Sequence, residues 1–239
     1  MKGFLLAGGR GERLRPLTLT TPKCLVPVDG VPLLRVWLEL CAADGVTQLL
    51  LNVSHHEDLV RRALAGWSGP PEVNLTVESE PRGTAGTVRL NRSFVEGEES
   101  FWIFYADNLT RLSLSAMLAR HRSHDGILTM GLFRTASPND SGIVEMDDRG
   151  RITSFEEKPR HPRSDLAHGG VCLARAALLD ELPLLKQQGV LDFGLHVFPG
   201  LVGRMYGHVI EEFHQDIGTP ARLAAASAAW VGWKEHRRP

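Results

Sequence analysis

Cysteine, tyrosine and long apolar runs are scarce in this chain, and neither sign of charge is in excess. The three cysteines, Cys24, Cys41 and Cys172, are an odd, dispersed set in 239 residues, which argues against a disulfide framework and against a paired metal site. The 27 basic residues are balanced by 28 acidic ones, so the net charge of −1 provides no overall attraction for nucleic acid or an anionic membrane. We therefore expect no nucleic-acid partner and no membrane association.

No apolar stretch approaches the roughly 18 residues that a transmembrane helix needs. Met1-Lys2-Gly3 leads directly into an apolar segment and leaves no room for a signal peptide, so we expect a cytoplasmic protein. A hydrophobic content of 43% is ordinary for a globular domain, and no linker rich in Pro, Gly or Ser divides the chain. We expect one domain over residues 1–239, and the sequence leaves open whether it forms a homodimer.

The ten histidines include two close pairs, His55-His56 and His121-x-x-His124. Neither pair has a third His or a Cys at the spacing that zinc sites use. We therefore predict that these side chains are surface histidines and not metal ligands.

What the chain does have is a strand followed by a glycine loop. The apolar run Gly3–Ala7 predicts a buried strand, and three glycines occupy the four positions from residue 8 to residue 11. Such glycines let backbone N–H groups approach a polyphosphate without interference from Cβ atoms, and Arg13 and Lys23 add positive charge. The loop is neither a Walker A motif nor a dinucleotide-binding turn, since Leu14 stands where G-x-G-x-x-G needs its third glycine. The segment predicts a nucleotide-phosphate cradle of another kind.

Short apolar runs alternate with segments of helical spacing over the first half of the chain. The predicted strands are Gly3–Ala7, Gln48–Val53, Val73–Val77, Phe101–Tyr105 and Ile127–Phe133. An apolar helix face follows Pro32 and ends at Asp44. This alternation predicts an α/β fold with a doubly wound, mostly parallel sheet, in which ligands bind beyond the carboxyl ends of the strands.

The second half predicts a small antiparallel addition. Gly142–Met146 and Arg151–Glu156 flank four turn residues and are typical of a hairpin. A short helix is predicted from Leu112 to His121, and a terminal helix over the Ala-rich stretch from Ala221 to Trp233.

Two carboxylates stand at positions that suit a metal ion. Asp107 follows the predicted strand Phe101–Tyr105, on the same edge as the glycine loop. Asp216 lies just before Thr219-Pro220, which is typical of a helix start. Mg²⁺ takes one or two carboxylates together with phosphate oxygens, so Asp107 could hold Mg²⁺ if it had a partner, and Asp216 is the candidate partner.

Several segments together resemble a known family. Leu6–Thr18 is similar to the signature L-A-G-G-x-G-x-R-L-x-P-L-T of the sugar-1-phosphate nucleotidyltransferases, or NDP-sugar pyrophosphorylases, and Pro22–Val28 is similar to their P-K-P-L-x-P-V. Gly83–Gly86 resembles the G-T-A-G turn of the mannose-1-phosphate and heptose-1-phosphate guanylyltransferases, and Glu156–Pro159 resembles the family's E-K-P motif. The resemblance implies a Rossmann-like nucleotidyltransferase fold. It also implies condensation of a sugar 1-phosphate with a nucleoside triphosphate, GTP first, with release of pyrophosphate.

The resemblance also implies roles for single residues. Arg13, Lys23 and Asp107 would be catalytic, and Asp107 and Asp216 would bind one Mg²⁺. Arg13 would neutralise the leaving pyrophosphate, and Lys23 would bridge the α-phosphate and the sugar phosphate. The nucleotide would contact Leu6, Ala7, Gly8, Gly9, Gly11, Glu12, Arg13, Gly83, Thr84 and Ala106. The sugar phosphate would contact Glu157, Lys158, His168 and Gly169. Residues 1–135 would mainly bind the nucleotide, and residues 136–239 the sugar phosphate, with the C-terminal helix.

The departures from the family pattern bear on specificity. His168 stands where the family usually has an Asn that contacts the sugar, so we expect a heptose, mannose or modified cyclic polyol and not plain glucose. Glu12, Cys24 and Arg82 stand where Thr, Pro and Leu are usual. Two alternatives stay open: the same reaction with UTP, CTP or dTTP, and a non-catalytic nucleotide-sugar sensor. Retention of the cations and of both carboxylates favours an enzyme.

Overall fold

The computed structural model describes residues 1–183 and 189–230. The strands in this part of the chain are β1 (Lys2–Leu6), β2 (Pro27–Val28), β3 (Val31–Pro32), β4 (Gln48–Val53), β5 (Glu72–Val77), β6 (Ser100–Tyr105), β7 (Asn108–Thr110), β8 (Leu128–Arg134), β9 (Gly142–Met146), β10 (Ile152–Glu157), β11 (Leu166–Arg175), β12 (Met205–Val209) and β13 (His214–Asp216). The α-helices are α1 (Leu33–Ala43), α2 (Glu57–Ala65), α3 (Thr84–Leu90), α4 (Leu114–Arg122), α5 (Leu178–Glu181) and α6 (Pro220–Ala229). All five predicted strands are present, with ends that shift by one residue or less.

A parallel sheet forms around β1. This strand pairs with β4 on one side and with β6 on the other, and β5 pairs with β4, all in parallel. Strands of this kind are near-continuous apolar runs because helices cover both of their faces. The expected parallel arrangement of the first half is confirmed.

The antiparallel addition belongs to the same sheet. β11 is antiparallel to β6 on one side and to β8 on the other, and the main path runs β10-β9-β11-β6-β1-β4-β5. β12 lies parallel to β8 at the edge beyond it. β11 was not predicted, and its insertion next to β6 joins the two halves of the chain in one continuous sheet.

Apolar cores lie on both faces of the sheet. Trp37 of α1 is 1% exposed and packs on one face, with its ring centroid 5.1 Å from that of Phe104. On the other face α3 buries Ala85 and Val88 among side chains such as Phe101. Helices therefore cover both faces, and the doubly wound α/β prediction is confirmed.

A two-stranded ladder brings the C-terminal segment to the carboxyl end of β6. β13 is antiparallel to β7, and Asp216 lies opposite Asn108. The ladder ends with the Ile217 N–H donating to the Asp107 carbonyl at 3.2 Å. This pairing places Asp107 and Asp216 side by side.

β9 and β10 form the predicted hairpin. Asp147 Oδ1 accepts the N–H groups of Arg149 and Arg151 at 2.9 and 2.8 Å, and Gly150 takes a φ of +76°. The residues that stabilise this turn, Asp147 and Gly150, lie within the turn itself. The hairpin can therefore be predicted from this short stretch of sequence.

The terminal helix begins within one residue of the predicted start but ends at Ala229, with Trp230 as its C-cap residue, so the predicted helix is too long at Trp230. Thr219 caps it by accepting the Arg222 N–H at 3.2 Å, and Pro220 follows in the first turn. The predicted continuation to Trp233 lies outside the described residues from position 231 onward. None of the helices in the described ranges is long and apolar enough to cross a membrane.

The surface prediction is wrong for His121, which is 2% exposed. Its Nδ1 lies 2.7 Å from Thr129 Oγ1 and its Nε2 lies 3.3 Å from Ser100 Oγ, while His124 Nε2 lies 2.9 Å from the same Thr129 oxygen. Burial lowers the pKa of both imidazoles to about 4. The two histidines therefore belong to a buried hydrogen-bonded network with Thr129 and Ser100.

Candidate active site

A cavity of about 230 Å³ opens at the carboxyl ends of β1, β4, β5 and β6. The predicted residues that line it are Leu6, Ala7, Gly8, Gly9, Lys23, Gly83, Thr84, Ala106 and Asp107. Lining residues that the sequence did not reveal include Asn52, Glu78, Thr87 and Asp192. The other predicted residues do not line this cavity, and their contacts are described below: Gly11, Glu12, Arg13, Glu157, Lys158, His168, Gly169 and Asp216.

The glycine loop needs glycine at two positions for different reasons. Gly11 has a φ of +62°, and a Cβ atom there would lie 2.9 Å from Thr18 Cγ2. A Cβ atom at Gly8 would lie 2.6 Å from Asn52 Nδ2, whereas Gly9 faces open space. The amides of Gly9, Arg10 and Gly11 donate no hydrogen bond within the described chain. The loop therefore presents free N–H donors, which suits an anion.

Lys23 lies between the two predicted carboxylates. Its Nζ donates to Asp107 Oδ2 at 2.6 Å and lies 3.6 Å from Asp216 Oδ1. The Lys23 side chain is 12% exposed, so this cation is shielded from bulk water. The structure thus gathers Lys23, Asp107 and Asp216 at one point beside the glycine loop.

Asp216 has further partners that the sequence did not reveal. Arg222 Nη1 donates to Asp216 Oδ2 at 2.6 Å, and Arg222 Nη2 donates to Asp140 Oδ2 at 2.8 Å. The Gly218 N–H donates to Asp216 Oδ1 at 2.6 Å. Arg222 in the first turn of α6 and the Gly218 N–H just before the helix therefore hold this carboxylate in place.

The donor chemistry of the pair suits a hard divalent cation. Two carboxylates that share one ammonium group already lie close enough to share a cation, and Mg²⁺ prefers oxygen ligands of this kind. In the ranges that the structure describes, no cluster of three or more His, Cys, Asp or Glu side chains offers a complete protein cage. Two carboxylates with open positions suit a metal that also takes phosphate oxygens.

Arg13 and Glu12 lie in the short helical turn that follows Gly11. Arg13 is exposed, and its Nη2 would lie 3.1 Å from a Cβ atom at Gly218. Glu12 is exposed too and lies 3.8 Å from Arg15 in an i,i+3 ion pair. Arg13 is thus the loop cation that approaches the Asp216 segment.

A buried carboxylate closes the cavity at the end of β5. Glu78 is 9% exposed, and its Oε1 accepts the Thr87 hydroxyl at 2.5 Å. Asn52 Nδ2 donates to the same Thr87 oxygen at 3.1 Å. Glu78 Oε2 lies 3.5 Å from the Cβ position of Gly8. The second carboxylate oxygen is therefore an acceptor beside the glycine loop, and it accepts no hydrogen bond from the described residues.

Thr84 also lines the cavity. Its hydroxyl donates to Asp192 Oδ2 at 2.9 Å and accepts the Phe193 N–H at 2.9 Å. Gly83 has a φ of +79°, and any Cβ atom there would collide with the Leu191 carbonyl oxygen. The glycine–threonine turn thus ties α3 to the segment around Asp192.

Glu157 and Lys158 meet because the strand is broken between them. Adjacent strand residues normally point to opposite faces, yet Lys158 Nζ lies 3.7 Å from Glu157 Oε1, and Lys158 has a φ of +49°. The left-handed backbone turns the lysine toward the face of its neighbour. Burial raises the pKa of Glu157, and the nearby charge of Asp192 raises it further.

The His168 side chain packs between two aromatic rings, those of Tyr105 and Phe198. Its ring centroid is 5.3 Å from that of Tyr105 and 5.2 Å from that of Phe198, and its Nε2 lies 3.4 Å from Cys172 Sγ. Burial lowers the pKa of this imidazole to about 4, so the ring is neutral near pH 7. Gly169 is buried beside it, with its Cβ position 3.1 Å from His214 Nε2.

Comparison with known proteins identifies the family of this chain. The model of the nucleotidyl transferase family matches residues 2–231. Over 232 residues the chain is 30% identical to mannose-1-phosphate guanylyltransferase from Mycobacterium tuberculosis, covering 95% of this chain and 64% of that protein. Over 227 residues it is 31% identical to mannose-1-phosphate guanylyltransferase 1 from Arabidopsis thaliana, covering 92% and 62%. The chain thus spans less than two thirds of the length of these two curated relatives.

Solved structures share the fold. HddC from Yersinia pseudotuberculosis superposes with a TM-score of 0.79 at 22% identity, covering 95% of this chain and 98% of the other. A Bacillus anthracis protein crystallised with a sucrose superposes with a TM-score of 0.81 at 23% identity, covering 95% and 94%. The match of the family model over nearly the whole chain, on a fold of this kind, shows that the chain belongs to the nucleotidyl transferase family.

Proposed function

We propose that this chain condenses a sugar 1-phosphate with a nucleoside triphosphate to give an NDP-sugar and pyrophosphate. The observation that carries the proposal is the position of Lys23, held between Asp107 and Asp216 beside a glycine loop with free N–H donors. An oxygen of the sugar phosphate forms a bond to the α-phosphorus, and the bond from that phosphorus to the bridging oxygen breaks. Pyrophosphate leaves with the bonding electrons. Two anions must approach each other, so positioning and charge neutralisation account for most of the catalysis.

Members of this family generally use a divalent metal ion. We propose Mg²⁺, with Asp107 and Asp216 as its protein ligands. When bound, it would supply positive charge to the triphosphate oxygens. Lys23 would hold the α-phosphate and the incoming phosphate together, and exposed Arg13 would neutralise the departing pyrophosphate. The amides of Gly9, Arg10 and Gly11 would donate to the phosphates.

Glu78 supports GTP as the triphosphate. A buried carboxylate only accepts hydrogen bonds, and Glu78 Oε2 has no donor among the described residues. Guanine offers two adjacent donors, N1–H and the N2 amino group, on one edge. Adenine has an acceptor at N1, and uracil has its single N–H between two carbonyls, so neither matches a carboxylate as well. The mannose-1-phosphate guanylyltransferases among the relatives are consistent with this choice.

The sugar would lie on the side of Thr84 and Asp192. Asp192 and Glu157 offer carboxylate oxygens to sugar hydroxyls, and the raised pKa of Glu157 reflects a shielded position next to Asp192. Lys158 would bind the sugar phosphate, with Gly169 allowing close approach. The neutral His168 imidazole differs in shape from the amide usual in the family. We therefore propose mannose, a heptose or a modified cyclic polyol as the sugar.

We also propose that residues 1–135 mainly bind the nucleotide, that residues 136–239 mainly bind the sugar phosphate, and that the chain acts in the cytoplasm. Cys24, Cys41 and Cys172 are buried and unpaired, as in proteins of a reducing compartment.

The test is a matrix of GTP, ATP, CTP, UTP and dTTP against a panel of sugar 1-phosphates, with pyrophosphate release as the readout. GTP with a non-glucose sugar should give the highest kcat/KM. A higher value with another nucleotide would overturn the base assignment, and efficient turnover of glucose 1-phosphate would overturn the sugar assignment. Tight nucleotide binding without release from any pair would instead support the sensor alternative.

A further inference from the structure

The glycine loop is held from the neighbouring strand β4 by two side chains. Asn52 Oδ1 accepts the Ala7 N–H at 2.9 Å, and the Ser54 hydroxyl donates to the Gly8 carbonyl oxygen at 2.7 Å. Asn52 lies in β4, which is parallel to β1 with Asn52 opposite Leu6, and Ser54 follows directly after the last residue of that strand. Successive backbone groups of the loop are therefore anchored at the end of one strand.

His55 orients the Ser54 hydroxyl. Its Nδ1 lies 3.0 Å from Ser54 Oγ. A serine hydroxyl has one hydrogen, and here that hydrogen is used on the Gly8 carbonyl, so His55 Nδ1 must be the donor. His55 Nε2 is buried without a partner in the described ranges, which leaves the ring hydrogen on Nδ1 in the neutral form. Two consecutive hydrogen bonds thus run from His55 Nδ1 to Ser54 Oγ and from the Ser54 hydroxyl to the Gly8 carbonyl oxygen.

The orientation of the Gly8 carbonyl determines the orientation of the next amide. In a trans peptide the C=O and the following N–H point in opposite directions. Gly8 and Gly9 both line the cavity, whereas Ser54 and His55 do not, and a Gly8 carbonyl held by Ser54 turns the Gly9 N–H away from Ser54. A peptide between two glycines has no Cβ on either side and rotates easily. Without an anchor, this peptide could present its carbonyl to the phosphates.

We propose that Ser54 and His55 are positioning residues for the triphosphate: they fix the Gly8–Gly9 peptide with its N–H facing the phosphates. The inference rests on the proposed function, because it takes a nucleoside triphosphate as the ligand of the loop.

The experiment compares Ser54→Ala, Ser54→Thr, His55→Leu, His55→Asn and the double variant Ser54→Ala/His55→Leu. Two quantities are measured: KM for GTP in turnover, and Kd for the magnesium complex of α,β-methylene GTP by calorimetry. Loss of one anchoring hydrogen bond should raise both values for Ser54→Ala by about 3- to 10-fold. KM for the sugar 1-phosphate should stay unchanged. Thr keeps the hydroxyl and Asn keeps a donor near the Nδ1 position, so these variants should remain close to wild type.

The double variant separates positioning from independent contacts. His55 acts through Ser54, so Ser54→Ala/His55→Leu should bind no more weakly than Ser54→Ala alone. Ser123→Ala is the matched control, since Ser123 Oγ donates to the Arg120 carbonyl at the same 2.7 Å at the end of α4. GTP and analogue affinities should not change in this control.

Affinity of Ser54→Ala within about twofold of wild type would overturn the proposal. So would an equal loss in Ser123→Ala, or additive losses in the double variant. Failure of the proposed function gives a different result, namely a wild-type protein that releases no pyrophosphate with any nucleotide. The calorimetric comparison still tests the anchor in that case.

Discussion

Replacing Glu78 by glutamine should reduce the preference for GTP. The Thr87 hydroxyl lies 2.5 Å from Glu78 Oε1 and 3.2 Å from the Gly83 carbonyl oxygen, so the shorter hydrogen bond is kept when the carbonyl oxygen of the new amide takes the Oε1 position. The NH₂ group then faces the base, where the carboxylate Oε2 was, and it meets the donor edge of guanine. One charge-assisted hydrogen bond is lost, at about 1.5–3 kcal/mol, and a buried donor is left unpaired, at about 1–3 kcal/mol. A combined cost of about 3 kcal/mol lowers kcat/KM for GTP by roughly 100-fold.

The assay is pyrophosphate release with GTP, ATP, CTP, UTP and dTTP at a fixed sugar 1-phosphate. For nucleotides whose base offers an acceptor to the new NH₂ group, kcat/KM should fall much less than for GTP. The preference for GTP over these nucleotides should therefore shrink or reverse. Glu80→Gln is the control, because Glu80 is an exposed carboxylate two residues further along the chain. If Glu78→Gln keeps GTP turnover within about threefold of wild type while the control is also unchanged, Glu78 does not contact the base.

Asp107→Asn and Asp216→Asn should each lower kcat by at least about 100-fold while metal-free GTP binding changes little, and turnover within about threefold of wild type would remove that carboxylate from the mechanism. Lys23→Ala should lose activity. In EDTA this variant should also have a lower Tm than wild type, because Asp107 and Asp216 then lack their shared cation. Excess Mg²⁺ should restore the Tm, and a Tm that does not change with Mg²⁺ would contradict the metal site. Arg13→Ala should lose activity with an unchanged Tm, since the side chain is exposed, and full activity would show that Arg13 does not contact the pyrophosphate. The free energy of unfolding should fall as the pH drops from about 6.5 to about 4, because the pKa of His121 is about 4 in the folded state and the unfolded chain takes up the proton first. Urea titrations should show a shallower pH slope for His121→Gln, and an unaltered slope would mean that His121 is not responsible.

The parts of the fold that are predictable from sequence are those with local causes. The parallel strands follow from continuous apolar runs, and the hairpin follows from Asp147 and Gly150 in its turn. β11 was missed because Leu166–Arg175 is not a continuous apolar run. Its glycines and histidine also obscured the pattern that marks a strand.

The candidate site divides in the same way. Lys23 and the two aspartates were predicted from motif resemblance, and the structure brings all three together. Glu78 escaped prediction because an acidic residue at the end of a strand is usually solvated, and only burial beside Thr87 reveals it. Asp192 and Arg222 escaped because their partners are distant in sequence, at Thr84 and Asp140.

The pairing of β13 with β7 has a consequence for protein synthesis. The two carboxylates of the site are separated by more than a hundred residues, and the ladder that joins them forms only when the chain has been made to beyond Asp216. Contacts of such large sequence separation form late, because the loop between them must close first. A nascent or prematurely terminated chain could therefore fold β1, β4, β5 and β6 and still lack half of its carboxylate pair. A chain that has been made only to a point before Asp216 therefore lacks the β7–β13 ladder and the second carboxylate of the proposed metal site.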